Sequence, residues 1–190
     1  MASSIEYGPA PRLSYRPNHL TILHNIPPVS TVNHPISISL LVMSTTSQIA
    51  VAAPSLPANA RLSTNLFLAS KLNHLRDRSR SSSEVRATTA ELARILAVEA
   101  TQGERPGGKV GLIVVLRSGL AMCDAFLSQF APDTDVVVYH IGMFRERTTL
   151  QPVEYYNMLP NINTDVKRVY VVDPLIATGG TSSAIIEILK

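Results

Sequence analysis

The chain has 190 residues, 45% of them hydrophobic and 16% charged, which is enough for one domain with a proper core. Its net charge of +3 contains no block of like sign, so nucleic acid is not demanded and an anionic substrate accounts for the balance equally well. A single cysteine, Cys123, excludes an intramolecular disulfide and fits a reducing compartment, and 5% aromatics with no Trp argue against a base-stacking surface for single strands.

Residues 1–60 stand apart from the rest. They hold eight of the 13 prolines and only three formally charged residues, Glu6, Arg12 and Arg16. The prolines break any periodic pattern, so the span reads as an irregular or disordered extension. Ile36–Ala53 is an uncharged run of membrane-spanning length, but its serines, threonines and Gln48 make it too polar for a spanning helix. An organelle transit peptide is the other reading of this end, against which stand its sparse arginines and the lack of an amphipathic helix. The expectation is a cytoplasmic protein, with organelle targeting by residues 1–60 as the alternative. Met43 would serve as a later natural start.

Asn65–Leu75 is short, apolar and helical in pattern. Arg76, Arg78 and Arg80, interleaved with Ser79 and Ser81–Ser83, form a basic connector that reads as a solvated loop. Glu84–Ala100 is the clearest helix. Ser81 and Glu84 make a capping-box pair, and Val85, Thr89, Leu92 and Leu96 mark one buried face. After the Gly/Pro-rich Thr101–Lys109, the apolar Gly111–Leu116 reads as a buried strand. Arg117-Ser118-Gly119 then turns into a helix at Leu120–Phe130, with Leu120, Cys123, Phe126, Leu127 and Phe130 on one side. An arginine at a strand's carboxyl end, beside a small-residue turn that opens a helix, suits an anion. G-x-S-x-G is not met, so Ser118 is no nucleophile elbow. Val136–Ile141 is a further strand, and Met143–Tyr156 carries Arg145, Glu146 and Arg147.

The stretch Val169–Lys190 organises the chain. Val169–Val172 reads as a buried strand, Asp173 follows at once, and Ile185, Ile186 and Leu189 recur at helical spacing. Between them lies a loop of small residues ending in Gly179-Gly180-Thr181. Free amides at a helix start favour an anion, and glycine lets backbone wrap a phosphate closely. Asp173 is placed to accept from sugar hydroxyls or to approach a metal, so phosphate in front of acid suggests a sugar phosphate. A bare Gly-Gly-Thr also serves as a plain strand-to-helix connection. The loop is neither a Walker A loop nor the dinucleotide fingerprint.

The full string D-P-L-I-A-T-G-G-T at Asp173–Thr181 is more specific, and it resembles the phosphoribosyl pyrophosphate loop of the uracil phosphoribosyltransferase family. L-R-S-G-L-A-M at Leu116–Met122, H-I-G-M-F-R at His140–Arg145 and T-L-Q-P-V-E-Y-Y at Thr149–Tyr156 resemble further blocks of that family, in its order. The resemblance implies that phosphoribosyl pyrophosphate is bound by Arg117, Arg145 and the loop residues Asp173, Pro174, Leu175, Ile176, Ala177, Thr178, Gly179, Gly180 and Thr181. It implies Mg²⁺ carried with that donor, GTP as an allosteric activator, and the conversion of uracil to UMP with release of pyrophosphate. No metal-ligand set and no catalytic residue are assigned. Glu154, Tyr155 and Tyr156 match the family's hairpin, with packing as their role.

The expected fold is α/β, a mainly parallel sheet flanked by helices, in a partial phosphoribosyltransferase domain at residues 61–190. The chain departs from the family pattern twice. The β-arm that helps the family dimerise is missing between residues 101 and 109, and the chain ends at Lys190, ahead of the Gly-Asp-Ala segment that reads uracil. The expectation is therefore a sheet incomplete at its C-terminal side, with an unpaired strand edge, a donor half-site and no uracil-binding residues. Such a chain would make little or no UMP. The alternative is a non-catalytic module that binds phosphoribosyl pyrophosphate or joins a full-length relative, or an inactive fragment.

Overall fold

The computed structural model describes residues 21–29, 36–43, 60–63, 65–102, 108–146, 148, 152–159, 165–176 and 179–189, with 21–29, 36–43 and 60–62 described by their backbone. Strands β1 (Thr21–Val29), β2 (Ile36–Met43) and β3 (Ala60–Leu62) come first, then helices α1 (Leu66–Arg76) and α2 (Ser82–Thr101). Strand β4 (Lys109–Leu116), helix α3 (Leu120–Leu127), strands β5 (Val136–Arg145), β6 (Pro152–Asn157) and β7 (Val166–Leu175), and helix α4 (Gly180–Ile188) follow.

One mixed sheet runs in the order β3-β1-β2-β7-β4-β5-β6. Its centre, β2-β7-β4-β5, is parallel throughout, and the flanking pairs β1–β2, β1–β3 and β5–β6 are antiparallel. The α/β expectation holds, with the parallel character confined to the four central strands.

Two expectations about the sheet change. Thr21–Val29 and Ile36–Met43 are strands within the span read as irregular, while the rest of residues 1–60, apart from Ala60, lies outside the described residues. Pro27 and Pro28 are tolerated in β1 because its ladder with β2 slips in register on both sides of Ile26, and a residue without an N–H fits such a break. The second change concerns the edge of β7. It is not open, because β2 pairs with it in parallel over Ser37↔Arg168 to Met43↔Leu175. The uncharged, β-branched and Leu-rich run Ile36–Met43 has the composition of a strand buried in a sheet.

Helices cover both faces. Val110, Leu112, Val114, Tyr170 and Val172 pack with α1, α2 and α3, whereas Ile113, Val115, Val169 and Val171 pack with Ile185 of α4. The alternation along β4 and β7 thus buries every other residue on each side, which explains their continuous apolar runs. Phe126, Phe130 and Tyr170 meet with ring centroids 5.3–5.9 Å apart under α3.

Helix α1 starts where the Asn65 side chain accepts from the Phe67 N–H at 3.0 Å. Helix α2 starts with the expected capping box: Ser81 Oγ accepts from the Glu84 N–H at 3.3 Å, and Glu84 Oε2 accepts from the Ser81 N–H at 2.8 Å. Its buried face is Thr88, Thr89, Leu92, Ala93, Leu96, Ala97 and Ala100. Val85 and, in α3, Leu120 were expected inside but are exposed; each sits in a first helical turn, with no preceding turn to cover it. Among the described residues no helix is long and apolar enough to cross a membrane.

Candidate functional site

Strands β7, β4 and β5 run in parallel side by side, so their carboxyl ends share one rim of the sheet. Such a rim is where open α/β sheets bind ligands. Three chain segments arrive there.

The first is the end of β7. Asp173, Pro174 and Leu175 are the strand's last three residues, so the acid lies inside the strand rather than just past it. Opposite them the β2–β7 register slips: Leu41 pairs with Val172, but Met43 pairs with Leu175, which leaves β7 one residue longer. Pro174 cannot donate to the ladder, and a residue without an N–H fits such a break in register. Ile176 follows, half-buried, and Ala177 and Thr178 lie outside the described residues. Gly179 caps α4 with φ 82°, a left-handed conformation that favours glycine. The first α4 bond runs from the Ser183 N–H to the Gly179 carbonyl at 2.9 Å. The amides of Gly180 and Thr181 lie in the first turn, at the positive end of the helix dipole.

The second segment is the turn after β4. The Leu116–Arg117 peptide is cis, Arg117 is exposed, and the Gly119 N–H donates to the Val115 carbonyl at 2.8 Å. Gly119 lies almost on the backbone of its neighbours: a Cβ there would sit 2.6 Å from the Val172 carbonyl oxygen and 2.7 Å from that of Val115. Only a residue without a side chain lets this turn nest against β7.

That nesting brings Ser118 to the acid. Ser118 Oγ donates to Asp173 Oδ1 at 2.9 Å, and the Leu175 N–H donates to the same oxygen at 3.4 Å. Asp173 is buried, and burial raises its pKa above the ordinary carboxylate value, while the Ser118 hydroxyl and the Leu175 amide pull the other way. Arg117 and Asp173, expected at one rim, are thus on adjoining segments.

The third segment is β5, which ends at Arg145. Leu116 of β4 is level with Gly142, three residues before Arg145, so this arginine also belongs to the rim. Its side chain and the whole of Arg147 lie outside the described residues. Beyond it, β6 returns antiparallel, with Arg145 opposite Pro152. Tyr155 and Tyr156, expected to pack, are about half exposed: Tyr155 faces Phe144 with ring centroids 6.3 Å apart and lies over Gly142. His140, expected at a strand end, lies within β5, where its carbonyl accepts from the Met158 N–H at 3.3 Å.

The rim thus combines a guanidinium, a buried carboxylate and the amino end of a helix, which suits a ligand with both phosphate and hydroxyl groups. Among the described residues no group of three or more His, Cys, Asp or Glu gathers, so no side-chain cluster of that kind is offered to a hard cation. Ser118 is the residue that sequence reasoning missed. Its only signal was a hydroxyl in the turn, and its partner becomes evident once β4 and β7 are known to be neighbours.

The uracil phosphoribosyltransferase family model matches residues 100–190. A Schizosaccharomyces pombe protein, urg2, provisionally named a uracil phosphoribosyltransferase, is 42% identical over 149 residues, covering 78% of this chain and 70% of that one. The uracil phosphoribosyltransferase of Finegoldia magna is 36% identical over 138 residues, covering 63% of this chain and 64% of the relative. The Bacillus caldolyticus enzyme of the same name is 35% identical over the same shares. This chain therefore spans about two thirds of the length of the curated relatives it matches. Among solved structures, the AQ2163 protein of Aquifex aeolicus superposes with a TM-score of 0.56 at 30% identity, over 67% of this chain and 68% of that one.

Proposed function

The chain belongs to the uracil phosphoribosyltransferase family, and from that premise we propose that its rim binds phosphoribosyl pyrophosphate and passes the phosphoribosyl group to uracil, giving UMP and pyrophosphate. One observation carries the reading: the Ser118–Asp173 hydrogen bond joins the turn bearing Arg117 to the end of β7, from which the chain runs into α4. A single ligand can then meet a cation, an acid and helix amides at once.

The roles follow from the chemistry of the donor. As pyrophosphate leaves the anomeric carbon, positive charge builds on the ribose ring and negative charge on the departing oxygen. Arg117 and Arg145 neutralise the leaving group, and Asp173 accepts from the ribose hydroxyls. The amides of Gly180 and Thr181, with the rest of the Asp173–Thr181 loop, hold the 5′-phosphate. That remote anchoring keeps the reacting carbon in place. Magnesium, supplied on the donor's own oxygens, would add positive charge at the pyrophosphate. Activation by GTP, action in the cytoplasm, and self-association or association with a longer relative belong to the same proposal.

Titration calorimetry with phosphoribosyl pyrophosphate and Mg²⁺, followed by an assay for labelled UMP from uracil, tests it. Saturable binding and UMP formation are the expected results. Binding without UMP would make the chain a donor-binding module, and no binding would overturn the reading.

A further inference from the structure

We infer that Ser118 is a positioning residue for Asp173, holding one carboxylate oxygen so that the other faces the ligand's hydroxyl groups. The inference rests on the donor-binding reading and deepens it.

Asp173 is 6% exposed, and a carboxylate so placed has few ways to be solvated. Among the described residues both of its hydrogen bonds, from Ser118 Oγ and from the Leu175 N–H, fall on Oδ1. Oδ2 has no protein donor there. Two donors on one oxygen fix the rotation of the carboxylate and leave the second oxygen open to a ligand. The Leu175 amide is local, two residues along the same strand, and at 3.4 Å it is the longer contact. The Ser118 hydroxyl is the shorter, and it comes from another strand's turn.

The turn has little freedom to deliver that hydroxyl anywhere else. Gly119 sits within a Cβ's reach of the Val172 and Val115 carbonyls, and the Ala121 N–H closes on the Ser118 carbonyl at 3.2 Å. Ser118 itself is exposed, so its side chain is not needed to fill a core. Its contact with the acid is what a substitution would remove. Donation to a charged acceptor in a shielded place is also the stronger kind of hydrogen bond.

The test compares two ligands on three proteins. Phosphoribosyl pyrophosphate carries ribose hydroxyls, and inorganic pyrophosphate does not. For S118A, affinity for phosphoribosyl pyrophosphate is expected to fall about tenfold, the worth of one charge-assisted hydrogen bond. Affinity for pyrophosphate should stay at the wild-type value, the melting temperature should fall by no more than the ~2–4 °C that one lost hydrogen bond costs, and S118T, which keeps the hydroxyl, should restore both losses. A fall for both ligands alike would show a structural role and overturn the inference. So would S118A binding phosphoribosyl pyrophosphate as the wild type does. If the wild-type protein binds no phosphoribosyl pyrophosphate, the donor-binding reading itself fails, and this inference with it.

Discussion

Asp173 shows how a single residue trades stability for binding. Burial raises its folded pKa above the unfolded value near 3.8, so the folded state holds the proton more tightly. Its contribution is therefore full at pH below that unfolded value and is lost as pH rises through the raised folded value; at neutral pH the charge works against folding. D173N keeps an acceptor for Ser118 and removes the charge. Its melting temperature should exceed that of the wild type at pH 7, and the difference should vanish as pH falls below about 3.8. Affinity for phosphoribosyl pyrophosphate should fall by at least about tenfold in the same variant. Thermal melts across pH, paired with calorimetry, check both halves. Asp173 was legible in the sequence because an acid after an apolar strand and before a Gly-Gly-Thr turn is a local pattern. Ser118 was not, since its partner lies 55 residues away and only strand order brings them together.

At the scale of elements, helix α2 was the most legible part of the chain. Ser81 and Glu84 announce its start, and the reciprocal hydrogen bonds are present. Arg80 ion-pairs with both Asp77 and Glu84 on the same exposed corner. Hydrogen bonds from Ser81 hold the Glu84 carboxyl below its ordinary value, so its support is present above the unfolded value of 4.5 and fades as pH falls through the lowered one. S81A should lower the melting temperature by about 2–4 °C at pH 7, as loss of a helix cap does in a domain of this size. The gap should narrow in acid, and calorimetric scans at the two pH values decide it. Helix α3 was less legible: Leu120 fits its apolar pattern but sits in the first turn, with no preceding turn to cover it, and remains outside. Strand β7 ran past its expected end because pairing with β2 resumes beyond the bulge, at Leu175.

For the whole molecule, the feature that sequence alone did not disclose is the seat of β2. Composition showed an uncharged run at Ile36–Met43, yet nothing local says that its partner is the strand carrying Asp173. Parallel neighbours leave no turn signal between them, since the connection can be of any length. Deleting residues 1–43 should uncover the backbone donors and acceptors along one side of β7. The shortened protein is expected to aggregate or to elute as higher oligomers in size-exclusion chromatography, and to bind phosphoribosyl pyrophosphate more weakly. A monodisperse shortened protein with unchanged affinity would show that β2 is dispensable. The same pairing also sets the tempo of folding. Ser37 must wait for Arg168, which is synthesised much later, before the middle of the sheet can close, and loops of that span form slowly. In the interval a sticky, uncharged ribbon has one edge unpaired even when β1 covers the other, so a nascent chain of this protein is a natural client for chaperones.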